Sequence, residues 1–176
     1  MNTIINNLCE YNWEQYKLGR DMSRNDYESL SKLLDKLNIK SPIIVETGTR
    51  QGSSCALFAS YIKKQNGGSF YTCDMYTLDA CGRKQDNIYI RDIFFNHMRN
   101  LDLDKYVEFH EKPSVEFSKE FKDNSLDLVF IDSCHVYKYV KEDIDAWYPK
   151  IKEGGILCGH DCEILIKNDF QLETLK

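Results

Sequence analysis

The chain has 176 residues, the length of one domain, and is 42% hydrophobic, 29% charged and 12% aromatic. That balance suits a protein that buries a core and excludes the disordered and fibrous classes. With a formal charge of -5 and basic residues scattered among acidic ones, no run can neutralise a phosphate backbone, so nucleic acid is not an expected partner.

The apolar spacing from Tyr11 to Leu37, with Leu30, Leu33, Leu34 and Leu37 on one stripe, predicts a helical N-terminal segment over residues 1–40. Ser41-Pro42 breaks it, and Ile43-Ile44-Val45 opens a first buried strand. A helix over Ser53 to Lys64 ends at Gly67-Gly68, and a second strand runs from Phe70 to Met75. Tyr76 to Asn87 is polar and irregular, the pattern of a lid or substrate loop, before helical spacing returns over Ile88 to Asn100. Tyr106 to His110 reads as a third strand, Ser114 to Phe121 as a short helix, and Leu126 to Ile131 as a fourth strand. A helical stripe from Tyr137 to Ile151 leads through Gly154-Gly155 into a fifth strand, Ile156-Leu157-Cys158. Strands alternating with helices predict an α/β domain over residues 41–162, a doubly wound and mainly parallel sheet, followed by a tail over 163–176.

Such sheets bind ligands beyond the carboxyl ends of their strands, so the residues just after each strand are the candidates. The first such loop, Glu46-Thr47-Gly48-Thr49-Arg50-Gln51-Gly52-Ser53-Ser54, has glycines spaced for a tight turn close to a ligand. Its Gly-x-x-x-Gly spacing is not the dinucleotide fingerprint and lacks the Gly-Lys-Ser/Thr of a phosphate loop, which argues against a nicotinamide-dependent oxidoreductase. The plainer reading is an ordinary turn with Ser53 as helix cap. Asp74, after the second strand, stands where a carboxylate accepts hydrogen bonds from ribose hydroxyls.

Asp132-Ser133-Cys134-His135 ends the fourth strand and His160-Asp161 the fifth; if those strands are neighbours, two carboxylates and one or two imidazoles share a small volume. A hard divalent cation such as Mg²⁺ or Mn²⁺ would relieve the carboxylate repulsion and acidify a substrate hydroxyl, and His135 could take the proton. The competing readings are a helix cap at Asp132 or Ser133, and a zinc site from Cys134, His135, Cys158, His160 and Cys162. Alternation along a strand keeps the last three of those from facing one ion. The seven cysteines, with Cys55, Cys73 and Cys158 inside apolar runs, read as small buried hydrophobes of a reducing compartment. Nothing from Met1 to Glu10 has a secretory pattern, and no apolar run nears the roughly 20 residues that span a bilayer, so no membrane and a cytoplasmic location are expected.

On these strand ends, and above all on Phe130 to His135, Trp147, Gly154-Gly155 and Gly159-His160-Asp161, the chain resembles the class I S-adenosylmethionine-dependent methyltransferases from Ile43 to about Asp161. Within them it is most similar to the macrolide-sugar O-methyltransferases and cephalosporin hydroxylase-type proteins. The resemblance implies S-adenosylmethionine as cofactor, held by Glu46, Thr47, Gly48, Thr49, Gly52, Ser53 and Ser54 around its methionine part, and by Asp74 at its ribose. It places Lys112 and Ser114 beside the adenine and Asp132 at the cofactor's edge. It further implies a small-molecule hydroxyl as acceptor, a sugar in the nearest relatives. In metal-dependent members Mg²⁺ is bound by an acid matching Asp132 and an acidic pair that here reads His160-Asp161, with His135 as base. The family's sheet continues for two more strands, for which the tail has no room; the exposed fifth strand implies a truncated domain, a partner subunit such as a second copy, or the tail Glu163 to Lys176 as cover. A module that binds cofactor without catalysis is the alternative from another class.

Overall fold

The computed structural model describes residues 1–13, 21–77 and 87–161. Five strands, β1 (Ile43–Thr47), β2 (Ser69–Cys73), β3 (Glu108–His110), β4 (Leu126–Ile131) and β5 (Ile151–Gly159), form one sheet in the order β3-β2-β1-β4-β5. Every pairing is parallel, and β4 and β5 are neighbours. The chain winds outward from β1 through β2 to β3, then returns to lay β4 on the other side of β1. That reversal opens a crevice at the carboxyl ends of β1 and β4, where ligands of such sheets bind.

All six residues of β4 are buried because helices cover both faces of the sheet. Leu128 and Phe130 point into the larger core with Ile44 and Phe70, under α1 (Asn2–Glu10), α2 (Arg24–Leu37), α3 (Ser53–Gln65) and α4 (Ile88–Asn100). Val129 and Ile131 point the other way, against Phe117 of α5 (Ser114–Ser118) and Trp147 of α6 (Tyr137–Trp147). Asp127 is a buried acid among them, and it is satisfied: it accepts from the backbone N–H of Ile43 at 2.8 Å and from Lys152 Nζ at 2.8 Å, pinning the starts of β1 and β5 to β4.

Several boundaries differ from the sequence reading. Tyr11 to Leu37 is not one helical segment: α1 precedes it, Trp13 turns inward with its indole N–H on the Leu8 carbonyl, and α2 starts after Ser23. Ser23 and Asp26 form a reciprocal capping box, and Asn38 in the left-handed region closes the helix. β2 stops at Cys73, β3 is preceded by a 3-10 turn at Asp104–Tyr106, and α5 ends at Ser118. α6 stops at Trp147 because Pro149 cannot supply the next helical N–H, and a 3-10 turn over Tyr148–Lys150 follows. β5 already begins at Ile151, and Gly154-Gly155 lie inside it as a bulge rather than before it as a turn: five steps from Ile151 to Ile156 match two from Leu126 to Leu128.

No helix among the described residues is long and apolar enough to cross a membrane. The five described cysteines, Cys9, Cys55, Cys73, Cys134 and Cys158, are free thiols. The predicted tail, Cys162 and most of the predicted substrate loop lie outside the described residues.

Candidate active site

A cavity of about 570 Å³ opens at the carboxyl ends of β1, β2, β4 and β5, the size range of small-molecule sites. Its floor is the loop after β1. Gly48 and Gly52 hold φ of +94° and +91°, and a Cβ on Gly48 would sit 2.1 Å from the Asp132 carbonyl oxygen, so only glycine lets this loop cross the end of β4. Arg50, between them, takes the left-handed region at φ +44°, unusual for a long side chain. Its conformation is fixed from three sides. Its N–H donates to Asp74 Oδ2 at 2.7 Å, its carbonyl accepts from the Tyr76 hydroxyl at 2.5 Å, and its guanidinium meets Asp21 at 2.5 Å.

Beneath the loop lies a buried polar network. Glu46 is fully buried and accepts from the Cys55 thiol and from Thr72 Oγ1 at 2.9 Å. Since Thr72 has one hydroxyl proton and gives it to Glu46, the 2.7 Å contact between Thr72 and Thr49 has Thr49 as donor. Burial pushes the Glu46 carboxyl up to about 7, outweighing the hydrogen bonds that favour its charged form.

The cofactor residues inferred from sequence divide into three groups. Gly48, Thr49, Ser53, Ser54, Asp74 and Asp132 line the cavity. Gly52 supports the loop against Phe94, and Glu46 and Thr47 are buried under it. Lys112 and Ser114 do not line it: Lys112 pairs with Glu120, and Ser114 Oγ accepts from Trp147 Nε1 at 2.9 Å. Ser53 is not the cap of α3, a position held by Gly52. Ser53 lines the cavity, while its hydroxyl is buried without a hydrogen-bond partner among the described residues. Asp74 is half-buried, and desolvation raises its carboxyl above the usual range.

The second half of the cavity holds the predicted charge cluster. His135 Nε2 stands 3.1 Å from Asp161 Oδ2 and 3.6 Å from Asp132 Oδ1. His160 Nδ1 stands 3.2 Å from Asp161 Oδ1 and 3.8 Å from Asp132 Oδ1. Asp132, His135 and Asp161 offer ligand atoms all within 4.8 Å of one another, the one such group among the described residues, and it contains no cysteine. The Asp132 carboxylate beside it, helped by Asp161, raises the pKa of His135 above the usual imidazole value. Neither Asp132 nor Ser133 caps α6, whose N-cap is Val136; Ser133 donates instead to buried Asp143 at 2.6 Å.

Sequence reasoning missed Asp21, Met22, Tyr76, Asn87 and Ile90 on the cavity wall. Asp21 and Met22 come from the stretch before α2 and carry no motif; Tyr76 and Asn87 are the two ends of the predicted substrate loop, so that reading pointed to them without naming them.

A parallel sheet of this order, with a glycine-bearing loop after β1 facing an acid after β2 and a charge cluster after β4, is the architecture of the class I methyltransferases. Residues 45–162 match the methyltransferase domain family, to which the chain belongs. An uncharacterized protein of Sinorhizobium fredii is 28% identical over 123 residues, which make up 69% of this chain and 13% of that protein. Among solved structures, an S-adenosylmethionine-dependent O-methyltransferase of Thermotoga maritima superposes with a TM-score of 0.63 at 15% identity, over 97% of this chain and 52% of that one. A Podospora anserina methyltransferase with S-adenosylhomocysteine bound gives 0.61 at 18% identity, over 93% and 70%. The chain therefore spans about an eighth of the first relative and about half of the Thermotoga protein.

Proposed function

We propose that the chain binds S-adenosylmethionine in the β1–β2 half of the cavity and transfers its methyl group to a hydroxyl of a small molecule, a sugar being the acceptor that the sequence resemblance favours. The observation that carries this reading is one cavity lined by both the glycine loop with Asp74 and the His135 cluster. The bound cofactor supplies an activated methyl: the acceptor oxygen forms the new O–C bond as the S–C bond breaks and its electron pair stays on sulfur, leaving S-adenosylhomocysteine. Asp74 accepts from the ribose, and the loop from Gly48 to Ser54 orients the methionine part. With its Nε2–H held toward Asp161 and Asp132, His135 takes the hydroxyl proton on Nδ1; its side chain is 55% exposed, so the proton can pass on to solvent. Asp132 and Asp161 hold that ring in place.

For the assisting Mg²⁺, Asp132, Asp161 and His160 are the candidate ligands. The carboxylates suit that ion; the imidazole does not, since Mg²⁺ prefers oxygen donors. A reducing, cytoplasmic setting accords with the free thiols. Strand β5 forms one edge of the described sheet, and a second copy of the chain is one way to cover it.

Calorimetric titration of the full chain with S-adenosylmethionine and with NAD, alongside mass spectrometry of a panel of hydroxylated small molecules including sugars, tests the reading. Binding of the first ligand alone, with methylated product that falls about 100-fold in H135A while cofactor affinity holds, is the expected result. Binding without product across the panel would favour a non-catalytic accessory module, and no binding would end the methyltransferase reading of this cavity.

A further inference from the structure

The connection that carries His135 is held by a side chain that does not line the cavity. The sheet's ladder ends at Asp132, whose N–H donates to the Thr47 carbonyl at 2.9 Å, and α6 begins at Tyr137, so His135 lies on the short stretch between them. At the start of that stretch Ser133 Oγ donates to Oδ2 of Asp143, ten residues further on in the second turn of α6, at 2.6 Å. The bond ties the first residue of the connection to the helix that ends it and takes up the slack between them. Asp143 is a costly residue for this position. It is 4% exposed, and burial raises its carboxyl above the usual range, opposed by the hydroxyls of Ser114 and Ser133 rather than by a cation. Asp127, the other buried aspartate among the described residues, faces Lys152 instead. A buried acid without a cation is less favourable than an apolar side chain of similar size. The Ser114 hydroxyl accepts from Trp147 Nε1 at 2.9 Å, which leaves its one proton for Asp143. One carboxylate thereby grips the connections after β3 and after β4 at once.

We propose that Asp143 is a positioning residue for methyl transfer: through Ser133 it fixes the connection that carries His135 and so keeps the imidazole aligned with Asp132 and Asp161, where it meets the acceptor hydroxyl. His135 is 55% exposed, so its rotamer is not locked by packing and its aim depends on the backbone beneath it and on the two acids, at 3.6 and 3.1 Å. A shift of about 1 Å in that backbone is enough to spoil the alignment. This role rests on the methyl-transfer reading, yet the placement of the ring can be measured without turnover.

Nuclear magnetic resonance of the full chain, isotope-labelled at the histidine ring nitrogens and held at a pH that leaves the imidazoles neutral, reads the ring directly, with H135A assigning its signals. Wild-type His135 shows the Nε2–H tautomer. S133A and D143A move its signals toward the averaged values of a freely reorienting ring, and the double variant goes no further than either alone. D143N, whose amide oxygen still accepts from Ser133, keeps most of the wild-type pattern. His97, buried behind the glycine loop, and His110 keep theirs. Since Asp132 retains its bond to Thr47, S-adenosylmethionine affinity in S133A stays within about twofold of wild type, while kcat on the compound that the panel shows to be methylated falls about tenfold. Unchanged His135 signals in S133A overturn the proposal, as do equal disturbances at His97 and His110, which would make Asp143 a strut of the whole fold. Should D143A fail to fold, S133A, at an exposed position, carries the test alone. Titration with S-adenosylmethionine separates the two readings: cofactor binding with undisturbed ring signals removes this role and leaves the methyltransferase, whereas the expected ring pattern without cofactor binding keeps Asp143 as the holder of His135 and removes the methyltransferase.

Discussion

Glu46 offers the sharpest test of how the loop after β1 is supported. An unfolded chain ionises this carboxyl at its ordinary value of 4.5, whereas in the folded protein burial moves it to about 7. Below both values each state holds the proton and stability is full. Between them the unfolded chain releases its proton first, so stability falls as pH rises, and above about 7 the loss is complete. A difference of roughly 2.5 units at about 1.4 kcal/mol each amounts to about 3.5 kcal/mol. E46Q keeps the shape and removes the titration, so relative to wild type it gains about 3.5 kcal/mol between about pH 4.5 and about pH 8. Urea denaturation across that range reads the gain as a relative midpoint shift of roughly 1.7 M, taking a slope of about 2 kcal/mol/M. Wild-type and variant curves that run parallel with pH would refute the reasoning, because the carboxyl would then be solvated in the folded state. Comparing the pair cancels the contributions of Asp74, Asp143 and Asp21, which burial raises in the same direction.

G48A places a methyl against the Asp132 carbonyl and forces a left-handed φ on alanine, so it should cost roughly 3 kcal/mol or more, read as a fall in melting temperature. The same variant should weaken S-adenosylmethionine binding about 100-fold in calorimetry. F130A empties a site 1% exposed, packed near Phe58 at 5.6 Å between ring centroids, and should cost about 3–5 kcal/mol, or roughly 10 °C by calorimetric melting.

Much of the centre of this fold was legible because buried parallel strands carry a strong local pattern. Leu126 to Ile131 is an unbroken apolar run apart from Asp127, and its bounds match the strand observed. The cluster of Asp132, His135, His160 and Asp161 was legible for a related reason: alternating strands and helices fix which ends share a rim. The N-terminal helices were not, since the cap at Ser23 that separates them is short and polar, and α1 buries only Ile5, Leu8 and Cys9. Asp21 and Asp26 reach the cavity and the cluster only through tertiary packing. The bulge at Gly154-Gly155 misled because two glycines after a helix look like a turn, and only the register with β4 shows that the strand has already begun.

The hydrogen bonds that follow the ends of β1, β2, β4 and β5 repeat one pattern. Asp74 N donates to the His110 carbonyl, Gly48 N to Cys73, Asp132 N to Thr47, and His160 N to Ile131, each at 2.9 to 3.2 Å. Together they run the sheet's ladder one residue past β1, β2, β4 and β5, so the residues facing ligand are spaced like rungs, about 4.8 Å per strand. A molecule lying across this rim is gauged in strand widths: the acid after β2 and the acid after β4 stand two rungs apart, with the glycine turn as the rung between. Acceptors of different shape can then be met by changing what hangs above the rungs, while the distance between the two acids stays with the backbone.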